Sequence, residues 1–183
     1  ENGIPVPDRV ATALIYGIKT DTQDLSRAGG PHDEQVFREL YPLADRQALS
    51  KIERARLPIE YFQVFERGLR HAEVADFAVT TYLGAVSHTD VVAEMADILF
   101  RLEGMKWAMV AGQNGSVLYV SIRALKAEGL DAAEVAAQIS DGRGGGHGTY
   151  AGAQIALPSD GTSPKDIYED LLIRFFEAVH AKK

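Results

Sequence analysis

The sequence contains no cysteine. That absence excludes disulfide bonds, thiol nucleophiles and thiolate metal sites together, and it is typical of a protein made for a reducing cytoplasm. Any metal ion must therefore be held by aspartate, glutamate or histidine side chains.

Long apolar runs are missing as well, because no stretch approaches the roughly 18 residues that a membrane-spanning helix needs. The first residues, ENGIPVPDRV, have neither the basic start nor the apolar stretch of a secretion signal. We therefore expect a cytoplasmic protein without a membrane partner.

Positive charge is scarce, with 19 lysines and arginines against 26 aspartates and glutamates and a net charge of -7. Long duplex DNA is bound mainly by basic side chains that neutralise its phosphates, so we do not expect it as a partner. Small anionic ligands remain compatible with this charge if positive groups are gathered locally.

The sequence otherwise has the composition of a globular chain, 46% hydrophobic and 25% charged. Only helical patterns occur in its first third, whereas from Asp76 onward the predicted order is β-α-β-β-α-β-α. We predict an α/β protein in three parts: a helical region over residues 1–57, a linker helix over 58–75 and a mixed-sheet domain over 76–183.

Periodicity, capping residues and prolines give the individual elements. The predicted helices are Asp8 to about Asp21, Asp33–Tyr41, Asp45–Arg56, Ile59–His71, Thr89–Leu102, Asp131–Ile139 and Pro164–His180. The predicted strands are Phe77–Val86, Trp107–Gly112, Val117–Arg123 and Tyr150–Leu157. The Asn-Gly pair in QNGS predicts a two-residue hairpin turn between the second and third of these strands.

The segment YGIKTDTQ places Asp21 just past a predicted helix end, between two threonines that can hydrogen-bond the loop. A carboxylate in that position can face a hard cation. The alternative is an Asx turn or a helix cap, and one carboxylate alone does not make a metal site.

The segment SDGRGGGHGTYAGA contains the consecutive glycines Gly144, Gly145 and Gly146, followed by His147. Their backbone N–H groups could converge on a phosphate, and the histidine could donate a hydrogen bond to it. The run follows a helix and precedes a strand, which is the reverse of the dinucleotide-binding order. A plain glycine-rich connector is the alternative.

The segment YVSIRA predicts a strand whose alternation puts Tyr119, Ser121 and Arg123 on one face. An arginine beside a hydroxyl at a strand end suits a phosphate, which arginine can hold with two hydrogen bonds. An ordinary surface arginine is the alternative.

Taken in order, YGIKTDT, VSIRA and GRGGGHGTYAGA resemble the DHH phosphoesterase superfamily over nearly the whole chain. That superfamily includes RecJ-type exonucleases, nanoRNases that also act on 3′-phosphoadenosine 5′-phosphate, and exopolyphosphatase-related proteins. TDT is similar to the last metal-binding motif of the catalytic domain. The glycines with the histidine are similar to the signature of the associated C-terminal domain.

The resemblance implies a role for each of these residues. Asp21 would be a catalytic metal ligand, for manganese or alternatively magnesium. Arg123 and His147 would hold the substrate phosphate, Ser121 would support Arg123, and the three glycines would give access to the backbone. The implied substrate is a short oligonucleotide or a small nucleotide phosphoester. Arg143 stands where the family pattern has a further glycine.

The other metal-binding motifs of the superfamily, an Asp-x-Asp and the Asp-His-His triplet, do not occur in the sequence. We therefore interpret the chain as the C-terminal part of a longer phosphoesterase and expect it to be inactive alone. Two hypotheses of other classes remain: a non-catalytic nucleic-acid binding module, and a glycine-rich structural domain without a ligand.

Overall fold

The first part of the chain is helical because its apolar residues recur at helical spacing. The computed structural model describes residues 5–22, 24–25, 30–125 and 131–181, and the chain divides into two units, Glu1–Leu57 and Pro58–Lys183. The first unit contains α1 (Asp8–Thr22), α2 (Pro31–Leu40), a 3-10 turn (Tyr41–Leu43) and α3 (Arg46–Glu53). Its small core consists of Ile15, Leu40 and Leu49.

The predicted helices of this unit form with shifted ends. α1 continues through Thr22, so Asp21 lies in its last turn and not beyond it. α2 begins two residues early at Pro31, because a proline in the first turn lacks only a donor that would have no helical partner. α3 ends at Glu53, since Arg54 leaves the helical region with φ −117° and ψ 37°.

The second unit is a six-stranded mixed sheet with four helices among its described residues, which confirms the predicted fold class. The sheet order is β1-β2-β3-β4-β6-β5, and β2 and β3 are the parallel pair. The elements are α4 (Ile59–Arg70), β1 (Glu73–Ala75), β2 (Ala78–Ala85), α5 (Asp90–Leu99), β3 (Trp107–Asn114), β4 (Val117–Ala124), α6 (Ala132–Ile139), β5 (Gly144–His147), β6 (Tyr150–Ala156) and α7 (Pro164–His180).

Each face of the sheet carries its own core. On one face α6 and α7 cover the sheet, and Trp107 of β3 meets Phe175 of α7 edge to face at 6.1 Å between ring centres. On the other face α4 and α5 cover β2 and β3, with Met95 and Leu83 fully buried between them. Burial on both faces explains the long apolar runs of β2 and β3.

The helix that the sequence predicts as a linker is packed into this second core. Val64 of α4 is buried, and a Cβ atom at Gly68 would lie 2.7 Å from side-chain atoms of both Leu83 and Met95. The missing side chain of Gly68 therefore lets α4 approach the sheet closely, and α4 belongs to the second unit.

Two strands are absent from the sequence-based prediction. β1 is a three-residue exposed edge strand, too short for a periodic signal. β5 is the glycine run itself, whose composition disfavours a strand.

The predicted hairpin between β3 and β4 forms, but its turn is shifted by one residue. Asn114 pairs with Val117, so the turn residues are Gly115, at φ +58°, and Ser116. Within the described ranges, no helix is both long and apolar enough to span a membrane.

Candidate ligand-binding site

The face of the sheet that packs α5 against β3 and β4 continues across β6 to the edge strand β5. Strand alternation and register place three rows of residues on this part of the face. Two rows follow from the strand pairs, Ser121, Gly152 and Gly145, and Arg123, Tyr150 and His147. The third is the pair Tyr119 and Gln154, beside which Arg143 stands just before β5. All of these positions except Arg123 are exposed or half-buried.

The middle row consists of small residues, and we call Ser121, Gly152 and Gly145 the glycine floor. Ser121 pairs with Gly152, which pairs in turn with Gly145. A Cβ atom at Gly145 would meet no other atom within 4 Å. The fold therefore does not require a glycine there, and the bare backbone faces open space.

The neighbouring glycines are required by the fold. A Cβ atom at Gly144 would lie 2.5 Å from the Ala136 carbonyl oxygen of α6, and one at Gly146 would lie 2.3 Å from the Tyr150 carbonyl oxygen. Such contacts are far inside van der Waals distance. The alternative of a plain glycine-rich connector is therefore wrong, because the run is a strand whose glycines permit close approach to a helix and to a neighbouring strand.

Larger side chains border the floor on both sides, about 7 Å from it along the strands. We call Arg123, Tyr150 and His147 the His147 wall; the rings of His147 and Tyr150 lie 5.5 Å apart at 63°. We call Tyr119, Gln154 and Arg143 the Arg143 wall. A depression of about 400 Å³ is lined by this wall together with Gly152 and the neighbouring residues Val120 and Ala153.

Arg123 is only 9% exposed and is held by α5. Its Nε and Nη2 donate to the two carboxylate oxygens of Asp97 at 2.6 and 3.1 Å, Nη2 also donates to the Ala93 carbonyl at 3.3 Å, and Nη1 donates to the Ile122 carbonyl at 3.1 Å. A guanidinium has five N–H donors, so one on Nη1 remains. None of these bonds involves Ser121, which the resemblance casts as the support of Arg123.

Sequence reasoning did not identify Asp97 as the partner of Arg123, nor Tyr150, Gly152 and Gln154 as members of the site. The signal for the last three was present, since alternation along β6 puts them on one face. Asp97 lay in the polar part of an amphipathic helix, where nothing distinguished it from a solvent-exposed carboxylate.

Asp21 belongs to the first unit and is exposed. The adjacent threonines are used locally: the Thr20 hydroxyl donates to the carbonyls of Tyr16 and Gly17, and Thr22 donates to Ile18 and accepts from the Leu25 N–H. These bonds stabilise the end of α1 and do not bring a second carboxylate to Asp21.

Two carboxylates of the first unit, Asp24 just after α1 and Glu53 of α3, are already paired with Lys19. Lys19 contacts Glu53 at 2.9 Å and Asp24 at 3.0 Å, and its hydrogen bonds to Glu53 and then to Asp24 raise its pKa. Among the described residues, no three or more histidines, aspartates and glutamates stand together as a metal-binding group. A manganese ion needs several such donors, so these residues do not by themselves fit one.

A second depression, of about 370 Å³, lies near the opposite edge of the sheet. It contains both Arg67 and Lys165 and the acidic Glu73 and Glu169, and Lys165 is 3.6 Å from Glu169. Its mixed charge does not favour an anionic ligand, and none of the predicted site residues lies in it.

The residues of the glycine floor and its walls lie within a segment that matches a known domain family. The DHHA1 domain matches residues 75–179. An uncharacterised protein of Methanocaldococcus jannaschii, MJ1633, is 30% identical over 149 residues, which are 81% of this chain and 30% of that protein. The crystal structure of an exopolyphosphatase-related protein from Bacteroides fragilis superposes with a TM-score of 0.73 at 13% identity, over 97% of this chain and 52% of that one.

The chain therefore belongs to the DHHA1 domain family. Its fold is also similar to that of part of the Bacteroides fragilis protein. The chain spans about a third of the length of MJ1633 and about half of the Bacteroides fragilis chain.

Proposed function

We propose that this chain is the substrate-binding part of a DHH-family phosphoesterase, which hydrolyses phosphoester bonds in short oligonucleotides or small nucleotides. The observation that carries the proposal is Gly145, a bare position that the fold leaves open beside His147. An open glycine flanked by hydrogen-bond donors is what a ligand that lies against the backbone needs. The DHHA1 family of the chain supports the reaction class.

In this proposal His147 donates a hydrogen bond to the substrate phosphate. The backbone of β5 can add donors, because β5 is the last strand of the sheet and an edge strand presents unpaired N–H groups. The remaining N–H of Arg123 can donate to a ligand at the His147 wall while the ion pair with Asp97 stays intact. Ser121 lies on the floor and offers a hydroxyl.

We expect His147→Ala to weaken the binding of a 5′-phosphorylated ribodinucleotide to the 183-residue chain by about tenfold, the value of a hydrogen bond to a charged group. Isothermal titration calorimetry at one fixed salt concentration measures this. The matched control is His71→Ala, which removes an exposed histidine close to β1, at the opposite edge of the sheet. Equal losses from the two variants would contradict the role given to His147.

We propose Asp21 as one ligand of the manganese ion, with magnesium as the alternative. Because the described donors do not form a cluster, we expect the chain to bind Mn²⁺ no tighter than the millimolar range. Calorimetric titration of Mn²⁺ into the wild type and into Asp21→Asn tests this. Tight binding of two ions per chain would show that the donor set is larger than the structure indicates.

A non-catalytic nucleic-acid binding module is the second candidate. It is favoured by the completeness of the floor and walls within one unit, from Tyr119 to Gln154, without any metal donor cluster among the described residues. Such a module would bind single-stranded RNA without metal and with a strong dependence on salt concentration. The phosphoesterase proposal instead requires hydrolysis of short oligoribonucleotides by the whole protein.

A further inference from the structure

Arg143 presents an unused cation to the glycine floor. Its side chain is exposed and lines the depression together with Tyr119, Gln154 and Gly152. In the part of the chain that the structure describes, no residue accepts a hydrogen bond from its guanidinium or forms an ion pair with it. Several other arginines are paired: Arg70 with Glu66, Arg123 with Asp97 and Arg174 with Asp170.

The backbone of Arg143 is held in place. Its N–H donates to the Ser140 carbonyl at 3.2 Å, and the next residue, Gly144, is paired with Ala153 of β6. Gly142, at φ +81°, turns the chain directly before it. The Cα atom of Arg143 is therefore held directly before β5, and its side chain extends from a fixed point beside the floor.

Arg143 directly precedes β5 and His147 is its last residue, so the two lie on either side of Gly145. They are four residues apart along an extended strand, which separates their Cα atoms by about 13 Å. A ligand that contacts both side chains as they stand along the strand carries acceptor or anionic groups at two places, joined by a body that lies over Ser121, Gly152 and Gly145. A single phosphate would have to draw the two side chains toward each other across Gly145.

The Arg143 wall also offers contacts for a nucleobase. The ring of Tyr119 provides a stacking surface, and the Gln154 amide provides both a donor and an acceptor. On a chain with a net charge of -7, a ligand with two negative groups is repelled unless local positive charge and hydrogen-bond donors offset the repulsion. Arg143 and His147 are the two groups that the floor places where such a ligand needs them.

We infer that Arg143 determines specificity at this site by binding a second anionic group of the ligand, about one nucleotide away from the phosphate at His147. The site then selects ligands that carry two phosphates over ligands that carry one. This inference rests on the proposed function, because it assigns the first phosphate to His147.

The test compares two probes that differ only in the 5′-phosphate: a 5′-phosphorylated ribodinucleotide, and the same dinucleotide with a 5′-hydroxyl. We expect Arg143→Gln to weaken binding of the phosphorylated probe to the 183-residue chain by about tenfold and to leave the hydroxyl probe unchanged. Arg143→Lys, which keeps the charge, should retain an intermediate affinity. Arg70→Gln removes the same charge near β1, at the opposite edge of the sheet, and should affect neither probe.

Equal affinity of the wild type for the two probes would overturn the inference, and so would an equal loss of both probes in Arg143→Gln. If those results came together with the expected tenfold loss of binding in His147→Ala, the proposed function would stand and Arg143 alone would lose its role. If neither probe bound the wild type, the proposed function and the inference would both fail.

Discussion

Alanine at Gly144 or Gly146 is expected to destabilise the second unit by about 3 kcal/mol, whereas alanine at Gly145 should leave its stability nearly unchanged. The added methyl at the first two positions would lie 2.5 and 2.3 Å from backbone carbonyl oxygens, which cannot move aside as a flexible side chain can. At Gly145 it would enter open space. Urea unfolding of the three variants measures the difference.

The same three variants separate the fold from the site. Gly145→Ala should weaken binding of the phosphorylated dinucleotide by about tenfold, because a methyl group would lift the ligand from the bare backbone. None of the three glycines has a positive φ, so contact alone distinguishes them. If Gly145→Ala unfolded as readily as Gly144→Ala, or bound ligand as well as the wild type, the open glycine would lose its functional meaning.

Asp97→Ala is expected to destabilise the second unit by about 2 kcal/mol. It would leave the Arg123 guanidinium, 9% exposed, without its carboxylate partner. Removing one member of a fully buried ion pair costs about 3–5 kcal/mol, but the Asp97 side chain is 43% exposed and solvent screens part of the loss. Chemical denaturation of the variant gives the value.

The control for Asp97 is the double variant Asp97→Ala with Arg123→Met, which replaces the buried charge with an apolar side chain of similar length. It should be more stable than Asp97→Ala alone, because no unpaired charge remains. A single variant as stable as the wild type would show that Arg123 does not need Asp97. In that case the N–H groups of Arg123 that now donate to Asp97 would be available to a ligand.

Local sequence signals predicted the elements whose causes are local. The α7 helix begins at Pro164 as predicted, and the Ser163 hydroxyl before it accepts from the Lys165 N–H at 3.2 Å. Asp131 caps α6 in the same way through Ala133. Caps and periodicity act over one or two turns, so a single sequence contains the information.

Features that depend on contacts between residues far apart in the sequence could not be predicted from local signals. β5 pairs with β6 although glycine has little tendency to form strands. In this position Gly144 lies against α6, where a side chain would not fit. Likewise Asp97 and Arg123 are 26 positions apart in the sequence, and their ion pair exists only when α5 packs on the sheet. Both features are contacts between elements, and local propensity does not specify them.

By itself the sequence determined the α/β class, the family signature, the absence of thiol chemistry and the candidate residues Ser121, Arg123 and His147. Only the tertiary structure decided what each glycine of the run is for, because that depends on what a Cβ atom would meet at each position. It also decided that Arg123 is bound by Asp97 while Arg143 is not paired within the described residues. The physical reason is that side-chain identity follows from the chain alone, whereas the partners of a charge follow from packing.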